Sequence, residues 1–187
     1  MYYVFFKRGI DIVFSLLAIA LLFPVFILIA LLIMISERTF NVFYVSIRIG
    51  QNGKPFRMYK FRTMKINCYE KEIFVKAPND ERITKIGRLL RNTSFDEMPQ
   101  FFNVLKGDMS IVGNRPLLTR EAAFVYRINC KRFDAPAGIT GLWQINKYRA
   151  KTVYQRIALD AYYSKNITFK TDMYIMLKTM IQMFKNY

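Results

Sequence analysis

At 187 residues the chain has the length of one domain. It is 53% hydrophobic and 16% aromatic yet carries a formal net charge of +16, which calls for a membrane or a large core together with nucleic acid, anionic lipid or a phosphorylated substrate. There is no histidine, which excludes a histidine general base or metal site, and Cys68 and Cys130 lack metal-ligand spacing and read as reduced thiols.

Residues 12–35 carry no charge; their only polar side chain is Ser15, and Pro24 sits at their middle. A helix needs about 20 apolar residues to cross a hydrocarbon core, and this run exceeds that. Tyr2, Tyr3, Phe5 and Phe6 precede it with Lys7 and Arg8, an aromatic and basic collar suited to a membrane interface. The run is too long for the apolar part of a cleaved signal peptide, and no small-residue cleavage site follows it. Both flanks are basic, with Lys7 and Arg8 before and Arg38, Arg48, Lys54, Arg57 and Lys60 after. If both flanks prefer the cytosol, the segment enters the bilayer and returns, and Pro24 supplies the cause of the bend. A kinked single span is the alternative, and composition does not decide between them.

Residues 42–49 are rich in β-branched and aromatic side chains, Gly50-Gln51-Asn52-Gly53 is turn chemistry, and residues 56–61 resume an extended pattern. This predicts a hairpin whose second strand places Phe56, Met58, Lys60 and Arg62 on one face. Lys60 and Arg62 are there either to grip a phosphate or simply to be solvated at the strand end. Residues 65–79 read as a loop with a short helix.

Residues 82–116 are the richest stretch. Ile83, Ile86, Leu89 and Leu90 recur at helical spacing among Arg82, Lys85, Arg88 and Arg91, predicting a basic amphipathic helix closed by Asn92 or Thr93. Its cations are either solvated or turned towards anionic headgroups. Asp96 and Glu97 follow side by side, with Lys106 and Arg115 further on. A carboxylate pair ringed by cations suits a site for a multiply anionic substrate, because nearby positive charge keeps the carboxylates ionised. An ionised Asp is also a nucleophile in enzymes that pass through an aspartyl-phosphate. The same letters, Ser94-Phe95-Asp96-Glu97, fit a helix capping box, and Asp96 fits an N-cap ahead of Pro99; spacing leaves capping and catalysis open. A second helix is expected over residues 97–105, stopped by Lys106-Gly107. Gly113-Asn114-Arg115-Pro116 is a turn whose Arg115 suits bidentate contact with a phosphate.

Residues 121–133 read as a helix, residues 136–141 as a turn-rich loop near Trp143, and residues 154–163 as a helix. Trp143 reads as core or interface packing, with base stacking the alternative. Tyr174, Leu177, Met180, Ile181 and Phe184 form a stripe with Lys178 and Lys185 nearby. Core packing is the first reading of that stripe and a membrane-docked helix the second.

Several ordered motifs carry a family resemblance. Residues 60–64, KFRTM, resemble the KFRTM motif of bacterial sugar transferases, the small monotopic phosphoglycosyl transferases that start polysaccharide and glycoconjugate assembly. Residues 80–88 resemble their D-x-R-I-T-x-x-G-R, residues 90–100 their L-R-x-T-S-x-D-E-x-P-Q, residues 103–110 their N-V-L-K-G-D-M-S, and residues 138–144 the G-I-T-G-x-x-Q of their next motif. The likeness runs from about Lys7 to the C-terminus. It implies an α+β, mainly helical fold: a re-entrant membrane helix-break-helix over residues 1–36, then a compact cytosolic catalytic domain over residues 37–187 with a small β-hairpin and interfacial amphipathic helices. It implies transfer of a phosphosugar from a UDP-sugar to polyprenol (undecaprenyl) phosphate at the cytoplasmic face of a bacterial inner membrane, releasing UMP. In that chemistry Asp96 attacks the phosphate next to the sugar, Mg²⁺ sits on the diphosphate with Asp96 as its protein contact, and Glu97 orients Asp96 or assists the metal. Lys60, Arg62, Arg91 and Arg115 are the expected contacts to substrate phosphates. Membrane lipid is an expected partner, nucleic acid is not, and a homodimer is left open.

Three positions depart from the family pattern. Phe23 stands where a Ser usually precedes the membrane proline, Asn114 replaces the first Pro of a G-P-R-P turn and is expected to loosen it, and residues 146–149, NKYR, replace a G-R pair. The rival function is a non-catalytic, membrane-tethered basic module binding nucleic acid or anionic lipid. It gives no reason for Asp96 and Glu97 amid the cations.

Overall fold

The computed structural model describes residues 2–66 and 80–185. Cys68 and most of the segment read as loop and short helix lie in residues 67–79, outside the described residues. Helix α1 (Tyr2–Glu37) runs through Pro24 as one helical element, so the expected helix-break-helix meets no interruption in helical structure there. Only 17% of its most apolar window is buried, which sets it apart from the core helix of a soluble protein. Leu17, Leu21, Phe23 and Ile35 on its outer side are exposed. Its inner side is a buried stripe of Lys7, Asp11 and Ser15 in the first half and Phe26, Ile29 and Ile33 in the second, at the three- and four-residue steps of one helix face.

Both halves of α1 dock on the same body. Lys7 Nζ donates to Asp172 Oδ2 at 2.6 Å, and the hydroxyls of Tyr3 and Tyr163 donate to the same carboxylate. This pairing makes burial of two charges tolerable. Asp11 Oδ1 accepts from the Ile111 N–H at 3.0 Å, and Arg8 donates to the carbonyls of Val104 and Leu105. In the second half, Phe26, Ile29 and Ile33 join Val42, Phe61, Leu90 and Met98 in one apolar cluster.

Strands β1 (Phe43–Ile49) and β2 (Pro55–Phe61) form the expected antiparallel hairpin, in register from Phe43 opposite Phe61 to Ile49 opposite Pro55. Helix α2 (Lys85–Thr93) starts at Thr84, whose side chain accepts from the Gly87 N–H at 2.8 Å, and stops at Ser94 in the left-handed conformation, φ 59°. Gly87 lets α2 lie against the chain leaving β2: a Cβ there would come 2.1 Å from the Thr63 carbonyl oxygen. A 3-10 turn, Phe95–Glu97, leads into α3 (Gln100–Lys106), which ends at Gly107 with φ 90°. The Ser94 side chain makes no cap hydrogen bond, so the capping-box reading does not hold here. Asn103, fully buried in α3, fastens β2 to that helix. Its Oδ1 accepts from the Tyr59 N–H at 3.0 Å and its Nδ2 donates to the Arg57 carbonyl at 2.6 Å.

A second sheet, which no local pattern announces, is present. β3 (Ser110–Val112) and β4 (Gly138–Thr140) pair in parallel, so residues 136–141 are partly strand, where their Pro and Gly content reads as loop. Glycine serves close approach there: a Cβ on Gly113 would lie 2.3 Å from the Pro136 carbonyl oxygen. The helix expected over residues 121–133 is shorter, α4 (Thr119–Ile128), because Asn129 leaves helical geometry and its side chain accepts from the Lys131 N–H, opening a 3-10 turn, Cys130–Asp134. Helices α5 (Leu142–Ile145), α6 (Val153–Lys165) and α7 (Phe169–Lys185) complete the chain.

The main core gathers Met58, Val104, Met109, Ile111, Val112, Tyr163 and Ile175 around β3 and β4. In α7 it is Asp172 and Ile175 that face inward, while Tyr174, Leu177, Met180 and Ile181 are each about half exposed. The core-packing reading of that stripe is therefore overturned. The architecture is α+β and mainly helical, with a long apolar N-terminal helix and a small hairpin.

Candidate active site

The hairpin, the 3-10 turn before α3 and the chain after β3 and β4 converge on a small cleft, open to solvent, lined by Arg48, Lys60, Glu97, Gln100, Arg115 and Gln144 among others. β2 delivers Lys60, the 3-10 turn before α3 delivers the two carboxylates, and the chain after β3 delivers Arg115. Lys60 Nζ lies 2.6 Å from Glu97 Oε1 and 3.9 Å from Asp96 Oδ2, so one ammonium serves both carboxylates. Glu97 lines the cleft, and Asp96, 8% exposed, lies beside it.

Burial pushes the Asp96 carboxyl above the usual carboxylate range. The Lys60 charge opposes this, Glu97 reinforces it and Arg91 opposes it. The expectation that surrounding cations simply hold Asp96 ionised is thus corrected: desolvation outweighs them. A buried carboxylate with a raised pKa is poorly solvated, and poor solvation makes an anionic oxygen more nucleophilic once its proton is gone.

The other expected phosphate contacts are placed differently. Arg91 Nε donates to the Thr63 hydroxyl at 2.9 Å, which holds its charge near Asp96 without lining the cleft. Arg62 donates to the Asn41 and Phe43 carbonyls beside β1, and the cleft lining does not include it. Arg115 lines the cleft, and its turn is not loosened by Asn114. The Asn114 amide donates to the Arg132 carbonyl at 2.6 Å and to Ser164 Oγ at 2.9 Å, and its backbone N–H donates to the Pro136 carbonyl at 2.9 Å.

Arg48, Gln100 and Gln144 were not singled out in the sequence. Arg48 was within reach of hairpin reasoning: it pairs with Phe56 while Ser46 pairs with Met58 and Tyr44 with Lys60, so it shares the face already assigned to Phe56, Met58 and Lys60. Gln144 arrives through the β3–β4 pairing, which no local pattern announces.

Among the described residues no three His, Cys, Asp or Glu side chains gather as a metal cage. Mg²⁺ needs no such cage: it takes one or two carboxylates and completes its shell with phosphate oxygens and water. Two oxygen-donor carboxylates beside a cation-lined cleft fit that pattern.

Residues 2–186 match the family described as bacterial sugar transferase. The chain belongs to that family. An undecaprenyl-phosphate galactose phosphotransferase of Salmonella typhimurium is 38% identical over 94% of this chain and 40% of its own length. A UDP-glucose:undecaprenyl-phosphate glucose-1-phosphate transferase of Klebsiella pneumoniae is 36% identical over 97% of this chain and 40% of its own length. The exopolysaccharide production protein ExoY of Sinorhizobium fredii is 34% identical over 93% of this chain and 83% of its own. The chain thus spans about two fifths of the length of the first two of these family members.

The raised pKa of Asp96 sets a pH dependence. A reaction that needs this carboxylate ionised loses rate as pH falls, and its acid limb lies above the ordinary aspartate value. Lys60→Met removes the largest influence holding that pKa down and moves the limb further up. A pH–rate profile checks both; a wild-type limb at or below the ordinary value contradicts the assignment.

Proposed function

We propose that the chain transfers a phosphosugar from a UDP-sugar to polyprenol phosphate at the cytoplasmic face of a bacterial inner membrane. The observation that carries this reading is the buried Asp96 carboxylate beside Lys60, at a cleft furnished with Arg48 and Arg115, in a chain matched by one transferase family over residues 2–186. The names of its relatives supply undecaprenyl phosphate as acceptor and, for the Klebsiella pneumoniae protein, UDP-glucose as donor.

The chemistry balances in two displacements. An Asp96 carboxylate oxygen attacks the phosphorus next to the sugar; the P–O bond to the nucleotide breaks and UMP leaves with the electron pair. A phosphate oxygen of the lipid then attacks the same phosphorus, freeing the carboxylate and giving polyprenyl-diphosphate-sugar. Lys60, Arg48 and Arg115 hold the negative charge that gathers on the phosphates, and the Arg91 charge also favours ionised Asp96. Mg²⁺, held by Asp96 and the diphosphate oxygens, supplies further charge neutralisation when bound. Glu97 keeps Lys60 in place between the two carboxylates.

The same reading makes α1 re-entrant. Arg8 touches α3 at Val104 and Leu105, and Phe26 touches it at Phe102, with ring centroids 5.8 Å apart. Eighteen residues of straight helix are about 27 Å long, whereas seven-residue α3 is only about 10 Å long. Contact at both points supports a bend near Pro24 that returns the chain to the side it came from. The exposed stripe of α7 extends the same membrane-facing surface, since Asp172 ties α7 to Lys7 at the start of α1 and Lys170 and Lys178 stand ready for anionic headgroups.

Turnover is tested with purified protein, Mg²⁺, polyprenol phosphate and a panel of UDP-sugars. Wild type releases UMP with at least one donor, and Asp96→Asn lowers the rate by at least about a thousandfold. No release across the panel would favour the non-catalytic module. Topology is tested with Phe5→Cys and Arg38→Cys, each in a Cys68→Ser, Cys130→Ser background. An impermeant maleimide is expected to reach both from the cytoplasmic side; labelling from opposite sides contradicts re-entry.

A further inference from the structure

Arg115 is an exposed residue on a turn, a situation in which an arginine ordinarily samples many rotamers. Here it is held at both ends by groups outside the cleft lining. Its carbonyl accepts from Arg132 Nη2 at 3.0 Å. Arg132 is itself fixed by Asp160, with Nη2 at 2.6 Å and Nε at 3.1 Å from Oδ2, and the two side chains are only 3% and 6% exposed. A buried ion pair is a poor source of net stability, since desolvation offsets most of the attraction. Through Arg132 it is hydrogen-bonded to the main chain of Arg115, which lines the cleft. At the other end, the Arg115 guanidinium lies 5.8 Å from the centre of the Trp143 ring, and Arg156 lies 5.0 Å from the same ring. Two guanidinium groups at one indole repel each other, and an anion bound at Arg115 relieves that repulsion.

We propose that Arg115 is a preorganised anion clamp positioned by two residues outside the cleft: Arg132, which holds its main chain, and Trp143, which holds its guanidinium. An arginine already held loses little freedom when it grips a phosphate, so the arrangement raises affinity for the diphosphate of the donor. Arg132 and Trp143 are positioning residues and do not touch substrate. The inference rests on the cleft being a phosphate site and deepens that reading.

The test uses inorganic pyrophosphate on the full chain, followed by calorimetry and by the emission of Trp143, the only tryptophan in the sequence. Pyrophosphate shifts the emission of wild type, and Arg115→Gln abolishes the shift. Trp143→Leu weakens pyrophosphate binding about fivefold, and Trp143→Phe, which keeps an aromatic face, restores it to within about twofold. Arg132→Met combined with Asp160→Leu removes the main-chain anchor without orphaning a buried charge and weakens binding by a similar factor. Wild-type affinity in Trp143→Leu overturns the proposal. So does equal weakening in Trp143→Phe and Trp143→Leu, which marks a merely structural ring, and so does equal affinity in wild type and Arg115→Gln. A clamp that passes these tests in a protein that turns over no UDP-sugar stands by itself, and only the assigned reaction falls.

Discussion

The site depends on one ammonium group shared between two carboxylates. Lys60 lies within 4 Å of both Asp96 and Glu97, and it is the foremost influence drawing the Asp96 carboxyl back down against burial and the neighbouring negative charge. Much of the fold can be read as the means of bringing Lys60 to that point. Asn103 fastens β2 to α3, so strand and carboxylates move as one unit. Gly87 lets α2 press against Thr63, and Thr63 in turn anchors Arg91. The left-handed Ser94 turns the chain sharply, setting Asp96 and Glu97 on a short 3-10 turn between two helices.

A second buried charge pair joins the ends of the chain. Lys7 and Asp172, with Tyr3 and Tyr163 completing the carboxylate's hydrogen bonds, lock the start of α1 to the start of α7. The second half of α1 is fused into the cluster that also holds Phe61 and Leu90, the chain neighbours of Lys60 and Arg91. The membrane segment is thus part of the body that shapes the cleft. The proposed reaction, which brings a lipid phosphate to the site at headgroup depth, would benefit from that rigidity, because packing against α1 would set the height of the site relative to the bilayer.

Local patterns in the sequence foretold the hairpin, its turn, the close of α2 at Thr93 and the stop at Gly107, because each is written in neighbouring residues: β-branched runs, Asn-Gly, the end of an apolar period, glycine after a helix. What escaped was non-local. The β3–β4 pair consists of two three-residue strands that exist only because glycines let their backbones meet. The exposed stripe of α7 had the spacing of a core-facing stripe, and periodicity alone cannot say which face a helix buries. In the site, Lys60, Glu97 and Arg115 stood out by residue type and do line the cleft, whereas Arg62 lies along the strand edge and Arg48 enters through hairpin register. The upward shift of Asp96 was invisible because it comes from burial, and charge counting in a sequence sees neighbours without seeing desolvation.

The most direct measurement is to incubate the protein with a UDP-sugar and Mg²⁺ in the absence of any polyprenol phosphate, quench, digest and map the modified peptide by mass spectrometry. The expected result is UMP in stoichiometric amount and a phosphosugar mass on Asp96. A phosphosugar on Glu97 or any other side chain, or UMP that appears only once lipid acceptor is added and with no adduct at any time, would contradict the two-step route through this aspartate.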